Sequence, residues 1–185
     1  MAVREVLLYP NPVLKQVAAP VQSAELDAVA RDLLDTMRSF ERCVGLAAPQ
    51  IGELVRLVAV NVRGHPKAET SNDLLVLANP AVVEVQGNEV AREGCLSIPD
   101  LTANVRRATR ITVEHSRGSV ECMGFEARCV LHEIDHLDGV LFLDRVESLV
   151  DDVFRRQVYS TGASPRAAES GSSPRSIDSP GARTG

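Results

Sequence analysis

The sequence predicts an α+β fold in which antiparallel β-sheets pack around a central helix that carries the segment HEIDH, with an amphipathic helix closer to the N-terminus. Three β-rich segments follow the first helical segment, and no helix lies between them to form the crossovers that parallel strands require. With 185 residues, 44% of them hydrophobic, the chain is long enough for one domain with a substantial core.

The N-terminal helix is predicted over residues 24–41. Glu25 and Asp27 lie in its first turn, where acidic side chains favour a helix start, and Ser23 is the predicted N-cap. Its apolar residues recur at spacings of three and four: Leu26, Val29, Ala30, Leu33, Leu34, Met37 and Phe40.

The three β-rich segments are residues 54–62, 74–85 and 111–116, each bounded by Gly, Pro or Asn. A second helix is predicted from about residue 124 to residue 137. Residues 146–158 form a short amphipathic segment that we expect to dock on its own domain.

Residues 1–160 are predicted to form one folded domain, and residues 161–185 a disordered tail. The tail contains one large apolar residue, Ile177, among Ser, Gly, Pro, Ala and Arg. Such a composition cannot bury enough apolar surface to offset the entropy lost on ordering.

Composition argues against nucleic acid and membranes as partners. The net charge is −5, aromatic residues make up 3% and tryptophan is absent, so neither a polyanion-binding surface nor a stacking platform is expected. Arg106, Arg107 and Arg110 are interpreted as a solvated strand edge or turn. No apolar run approaches the roughly 18 residues of a membrane span and no cleavable leader is evident, which favours a cytosolic protein. The four cysteines lack paired spacing, so reduced thiols are expected.

The segment HEIDHLDGVLF, residues 132–142, indicates a metal site. In a helix, His132 and His136 lie on one face, about 6 Å apart along the axis, and Glu133 lies on the neighbouring edge. The zinc proteases with three histidines would place the last histidine where this chain has Phe142, which binds no metal.

The third ligand must therefore come from elsewhere in the chain. His65 lies in a turn-like segment and His115 ends a β-rich one, and each is typical of a surface histidine. Cys122 has the character of a small buried hydrophobe. A metal between the two histidines of HEIDH would lie about 7 Å further along the helix axis than Cys129, which is too far for that side chain, so Cys129 suits a wall of the adjoining pocket. Cys95 follows a flexible glycine and remains a candidate; its thiolate would complete a three-ligand site with an open, catalytic position.

Three separated segments resemble the peptide deformylases: GLAAPQIG at 45–52, EGCLSIP at 93–99 and HEIDHLDG at 132–139. They occur in the order and at the approximate separations of that family. YPNPVLKQVAAPV at 9–21 is also similar, and the likeness extends over about residues 3–155.

The resemblance implies that Cys95, His132 and His136 bind one divalent metal ion, Fe(II) in the cell, with Zn, Ni or Co as substitutes. It implies a hydrolase that removes the formyl group from the initiator methionine of new polypeptides and releases formate. A hydroxide held by the metal would attack the formyl carbon, with Glu133 as general base and then general acid.

The family also implies donors to the developing oxyanion, namely the side-chain amide of Gln50 and the backbone N–H of Leu96. A further set of residues implied by the family would bind the methionine and the peptide backbone: Val44, Gly45, Phe125 and Cys129. The implied partners are N-formylmethionyl nascent peptides in a bacterial-type cytoplasm, with the ribosome near its exit tunnel as a further partner.

Two positions depart from the family. Cys43 stands where glycine is common, which would strain the backbone if φ is positive there, and would place a thiol near the site. Leu131 stands where glutamine is common. Two alternatives remain open: a metalloprotease or other metal-dependent amidase, and a homologue that binds metal or formylated peptides without turnover.

Overall fold

The computed structural model describes residues 2–156. It contains two α-helices, α1 at Ser23–Arg38 and α2 at Gly124–Leu137, and three short 3₁₀ helices. The strands, in chain order, are β1 Gly45–Ala47, β2 Leu57–Asn61, β3 Leu74–Ala78, β4 Ala81–Gln86, β5 Glu89–Cys95, β6 Ile98–Arg107, β7 Arg110–His115, β8 Gly118–Met123 and β9 Val153–Arg155.

The nine strands form three antiparallel sheets of three strands each, in the orders β1-β2-β3, β4-β7-β8 and β5-β6-β9. Helix α2 packs against β1, β2, β7 and β8 and is buried over most of its length. The predicted α+β class, the antiparallel pairing and the central helix with its HEIDH segment are confirmed, and α2 has the predicted bounds.

Helix α1 starts and ends differently from the prediction. Ser23 is its first helical residue, whereas Gln22 is the N-cap, with extended backbone angles and no capping bond from its side chain. The carbonyl of Gln22 accepts the backbone N–H groups of Glu25 and Leu26, each at 3.1 Å, which fixes the start of the helix one residue earlier. The helix ends at Arg38 rather than at residue 41.

The predicted β-rich segment 74–85 is two strands in two different sheets. Asn79 has a positive φ of 55°, and Pro80 follows it, so the chain turns between β3 and β4. The Asn79 side chain accepts the Val21 N–H at 2.8 Å, which holds this turn against the segment before α1. The other two segments correspond to β2 and β7, each shifted or shortened at its ends.

Strand β9 lies within residues 146–158, the segment predicted to dock on its own domain. It pairs with β6, so this segment docks on its own domain as expected, as far as residue 156. The predicted tail at 161–185, and the end of the domain at residue 160, lie outside the described residues. Within the described part of the chain, neither helix has the length and apolar character needed to cross a bilayer.

Candidate metal centre and catalytic cavity

Cys95, His132 and His136 come together in the structure. Their ligand atoms all lie within 4.8 Å of one another, and the Cys95 Sγ is 3.3 Å from the His136 Nε2. Cys95 ends strand β5, whereas the histidines lie one turn apart on α2. All three are buried.

The 3.3 Å separation of the Cys95 Sγ and the His136 Nε2 suits binding of both atoms to one metal ion. Zinc-like ions bind thiolate and imidazole at about 2.0–2.3 Å, so tetrahedral ligand atoms lie about 3.3–3.8 Å apart. Burial would raise the pKa of the Cys95 thiol, but attraction to His136 and hydrogen bonds from both imidazoles hold that pKa well below its usual range. The donor set therefore fits a divalent ion with an affinity for sulfur and nitrogen.

Phe142, in the position of the missing third histidine, is buried against His132. Their rings are stacked, with centroids 6.3 Å apart and an interplanar angle of 21°. The residue thus packs against a member of the cluster.

Glu93 orients His132, and sequence reasoning missed it. Its Oε2 lies 3.0 Å from the His132 Nδ1, leaving the other ring nitrogen for the cluster. Burial would raise the pKa of Glu93, but its bonds to His132 and Arg107 lower that pKa to about 2. Glu93 lies in strand β5, whose period of two places it on the same face as Cys95, a signal that could have found it.

Arg107 was also assigned wrongly. Arg106 and Arg110 are exposed, as predicted, but Arg107 is 6% exposed and faces inward from the alternating strand β6. Its guanidinium binds both oxygens of Glu93, at 2.9 and 3.0 Å, and also binds Asp135 of α2. The buried charges are therefore paired, which is the condition for burying them without a large penalty.

Glu133 lies beside the cluster with its carboxylate in the same cavity. It is 5% exposed, and its Oε2 has no hydrogen-bond partner among the described residues. Burial raises the pKa of Glu133 to about 7, against the opposing attraction of the two histidines. Gly45 makes room for this side chain, because a β-carbon there would lie 2.5 Å from the Glu133 Oε1.

Gln50 points at the cluster from the 3₁₀ turn that follows β1. Its Oε1 accepts the Ala47 N–H at 2.9 Å, which fixes the orientation of the amide. Its Nε2 donates to the Ser97 Oγ at 3.1 Å and lies 3.4 Å from the Cys95 Sγ. Leu96, the residue after Cys95, also lines the cavity.

The cavity has a volume of about 320 Å³ and is lined by all ten residues named as candidates from the sequence except His136. Val44, Gly45, Phe125 and Cys129 belong to its walls. The ring of His65 stacks on that of Phe125, with centroids 4.4 Å apart, so this histidine supports a wall rather than binding metal.

The two departures from the family have different outcomes. Cys43 causes no backbone strain, because Asp73 and Asn79 are the non-glycine residues with positive φ in the described part of the chain. Its thiol does line the cavity, and its Sγ lies 3.0 Å from the Gly45 carbonyl oxygen. Leu131 is half-buried and packs against the apolar core around α2.

Three side chains that could bind one metal ion converge beside a buried carboxylate, with a cavity at the open side, and this arrangement is typical of metal-dependent hydrolases. The sequence profile of the polypeptide deformylase family matches residues 3–152. The chain belongs to this family, whose members remove the N-formyl group from newly made polypeptides.

Individual relatives agree over most of the chain. The peptide deformylase of Rhizobium meliloti is 40% identical, with 91% of this chain and 99% of that protein covered. That of Desulfotalea psychrophila is 38% identical, with 85% and 96% covered. The crystal structure of a class I type b peptide deformylase from Acinetobacter baumannii bound to Met-Ala-Ser has a TM-score of 0.69 and 35% identity, and covers 78% of this chain and 99% of its own.

Proposed function

We propose that Cys95, His132 and His136 hold one divalent ion for deformylation of N-formylmethionyl peptides, and that this ion is Fe(II) in the cell, with Zn, Ni or Co as substitutes. The convergence of one thiolate and two imidazoles beside Glu133 carries the proposal. When bound, such an ion supplies Lewis acidity, which polarises the formyl oxygen and lowers the pKa of water from 15.7 towards about 7.

Glu133 moves the proton. Its carboxylate accepts a proton from the attacking water and later donates it to the departing amine nitrogen. The raised pKa of about 7 suits a group that must both accept and donate near neutrality. Its unpartnered Oε2 leaves an acceptor for that water.

Gln50 and Leu96 stabilise the oxygen of the formyl group as negative charge develops. The Gln50 amide is held by Ala47 and Ser97, so its N–H group is oriented before substrate arrives. The backbone N–H of Leu96 is the second donor. Removal of one such donor typically lowers the rate about 10²- to 10³-fold.

Val44, Phe125 and Cys129 form the wall against which the methionine side chain packs. Strand β1 lies at the edge of its sheet, so the substrate backbone can pair with it around Val44 and Gly45. The binding of Met-Ala-Ser by the A. baumannii relative supports this placement of a methionyl peptide.

The substrates are nascent chains, and we place the reaction in a bacterial-type cytoplasm, near the ribosome exit tunnel. The family's action on newly made polypeptides supports this placement.

The test is formate release from a formyl-methionyl peptide by protein loaded anaerobically with Fe(II). We expect turnover that is lost in Glu133→Ala with metal retained, and lost in Cys95→Ala together with the metal. The unformylated peptide should remain intact, and its cleavage would favour a protease instead. One bound ion per chain without formate would show a homologue that binds without turnover.

A further inference from the structure

The outer part of the catalytic cavity carries four cationic side chains. Arg42 precedes β1 and Lys67 lies between β2 and β3, whereas Arg92 lies on β5 and Arg156 follows β9. Arg42 and Lys67 are therefore next to strands of the β1-β2-β3 sheet, whereas Arg92 and Arg156 are in or next to strands of the β5-β6-β9 sheet. The first three are exposed and Arg156 is half-buried, so all lie on the solvent side of the buried metal cluster.

Within residues 2–156, these four cations have no acidic partner. Among residues 2–156, each ion pair involves other Arg or Lys residues, or His132, and none involves these four. Of the two carboxylates that line the cavity, Glu93 is bound by Arg107 and Arg128, and Glu133 is buried at the cluster. A chain with a net charge of −5 thus presents a positive opening at its catalytic cavity.

One of the cations, Arg92, is held in place by side-chain contacts, and a second, Arg156, lies directly against the backbone of β5. The Arg92 guanidinium donates to Asn104 at 3.2 Å and Thr102 at 3.3 Å, and its Cζ lies 3.4 Å from the centre of the Phe154 ring. The Arg156 guanidinium covers Gly94, where a β-carbon would collide with it. Held cations lose less conformational entropy when they bind an anion.

A third cation lies at the wall proposed for the methionine side chain. The Lys67 Nζ is 5.9 Å from the centre of the Phe125 ring. With the formyl group at the cluster and the methionine against Phe125, the following residues of a peptide must leave through the cationic opening.

We propose that Arg42, Lys67, Arg92 and Arg156 determine specificity, by favouring formyl-methionyl peptides with an acidic residue in the second or third position. This inference rests on the proposed function. A single exposed ion pair changes binding about 1.4- to 5-fold. Several cations acting on one carboxylate at a concave site raise the preference to the order of tenfold.

The test compares kcat/KM for formate release among peptides with amidated C-termini. Formyl-Met-Glu-Ala-Ala-amide, its Gln and Lys counterparts, and the same series with the third residue varied are supplied to the metal-loaded full chain. We expect kcat/KM about tenfold higher for Glu than for Gln, mainly through KM, and lowest for Lys. The preference should weaken as salt rises, because the Debye length falls from about 10 Å at 0.1 M to about 3 Å at 1 M.

A further peptide shows whether the cations select a side-chain carboxylate or the C-terminal carboxylate of the substrate. This peptide is the Gln peptide shortened to three residues with a free C-terminus, so its carboxylate belongs to the main chain. A preference confined to this peptide, with none for amidated Glu peptides, would overturn the proposal of side-chain selection.

Substitutions among the four cations then test whether they cause the preference for the Glu peptide over the Gln peptide. Arg156→Gln and the double variant Arg42→Gln/Lys67→Gln should each reduce the Glu-to-Gln ratio towards one, whereas Arg156→Lys should retain it. Arg117→Gln, an identical charge change in the exposed turn between β7 and β8, is the matched control and should keep the full ratio.

Failure of the charge preference and failure of the proposed deformylase function give different results. Equal kcat/KM for amidated Glu and Gln peptides would overturn the charge preference and leave deformylation intact. A preference unchanged in all the Gln variants would also overturn it. No formate from any formylated peptide would overturn the proposed function, and this inference with it.

Discussion

Gly45 leaves the space that the Glu133 carboxylate occupies, so the smallest residue in β1 bears on the position of the proposed general base. A β-carbon at Gly45 would lie 2.5 Å from the Glu133 Oε1, so a methyl group must displace the carboxylate. The φ of Gly45 is not positive, so alanine is compatible with the backbone itself.

We expect Gly45→Ala to lower kcat about 10²-fold, because misplacement of a catalytic group by about 1 Å has effects of that size. Steady-state deformylation measures the loss, and the metal content and melting temperature serve as controls. Normal kcat in the folded variant would show that Glu133 needs no such clearance.

Glu93 is expected to affect metal binding through its hydrogen bond with His132. Glu93→Gln removes the charge that orients the imidazole, and we expect metal affinity to fall about 10- to 100-fold. Competition with a chelator of known affinity measures the change. Glu89→Gln, an equal change at an exposed position on the same strand, should leave the affinity unaltered, and equal losses in both variants would contradict the assignment.

At the scale of elements, the start of α1 offers a stabilising substitution. Gln22 is the N-cap but supplies no capping bond to the helix, whereas an aspartate there can accept a free N–H and favours the helix dipole. We expect Gln22→Asp to raise the free energy of unfolding by about 1 kcal/mol and the melting temperature by about 2–4 °C.

Calorimetry on a second variant separates the two possible caps. Ser23→Ala should change the free energy of unfolding by less than about 0.5 kcal/mol, because Ser23 is already inside the helix. A loss of about 1 kcal/mol or more would instead support the cap predicted from the sequence.

The elements also show what local sequence can predict. The bounds of α2 and the shared face of its histidines follow from helical spacing alone, and the structure agrees. Strands β5 and β6 were not predicted, because Glu93 and Arg107 look like solvated charges until the two strands and α2 are brought together. The break between β3 and β4 was visible as Asn79-Pro80, but local sequence does not show that the two strands join different sheets.

At the scale of the whole molecule, Arg107 ties the β5-β6-β9 sheet to α2. It binds Glu93 of β5 and Asp135 of α2, and all three side chains are buried. Removal of Arg107 takes one cationic partner from each of the two buried carboxylates. Glu93 then keeps Arg128, and Asp135 keeps Arg145.

We expect Arg107→Ala to reduce the free energy of unfolding by about 3–5 kcal/mol. Arg106→Ala, one residue away and exposed, should change it by no more than about 0.5 kcal/mol. Urea unfolding of the two variants under identical conditions measures the difference, and similar midpoints would contradict a structural role for the buried network.

The burial of α2 also limits how the candidate metal centre can open. Eleven of its fourteen residues are buried. Amide hydrogens in such a helix exchange with solvent deuterium only when the surrounding structure opens cooperatively. The two histidines therefore cannot separate by fraying of one element. An ion held between α2 and Cys95 would escape only through the cavity, or during the rare events in which the whole domain unfolds.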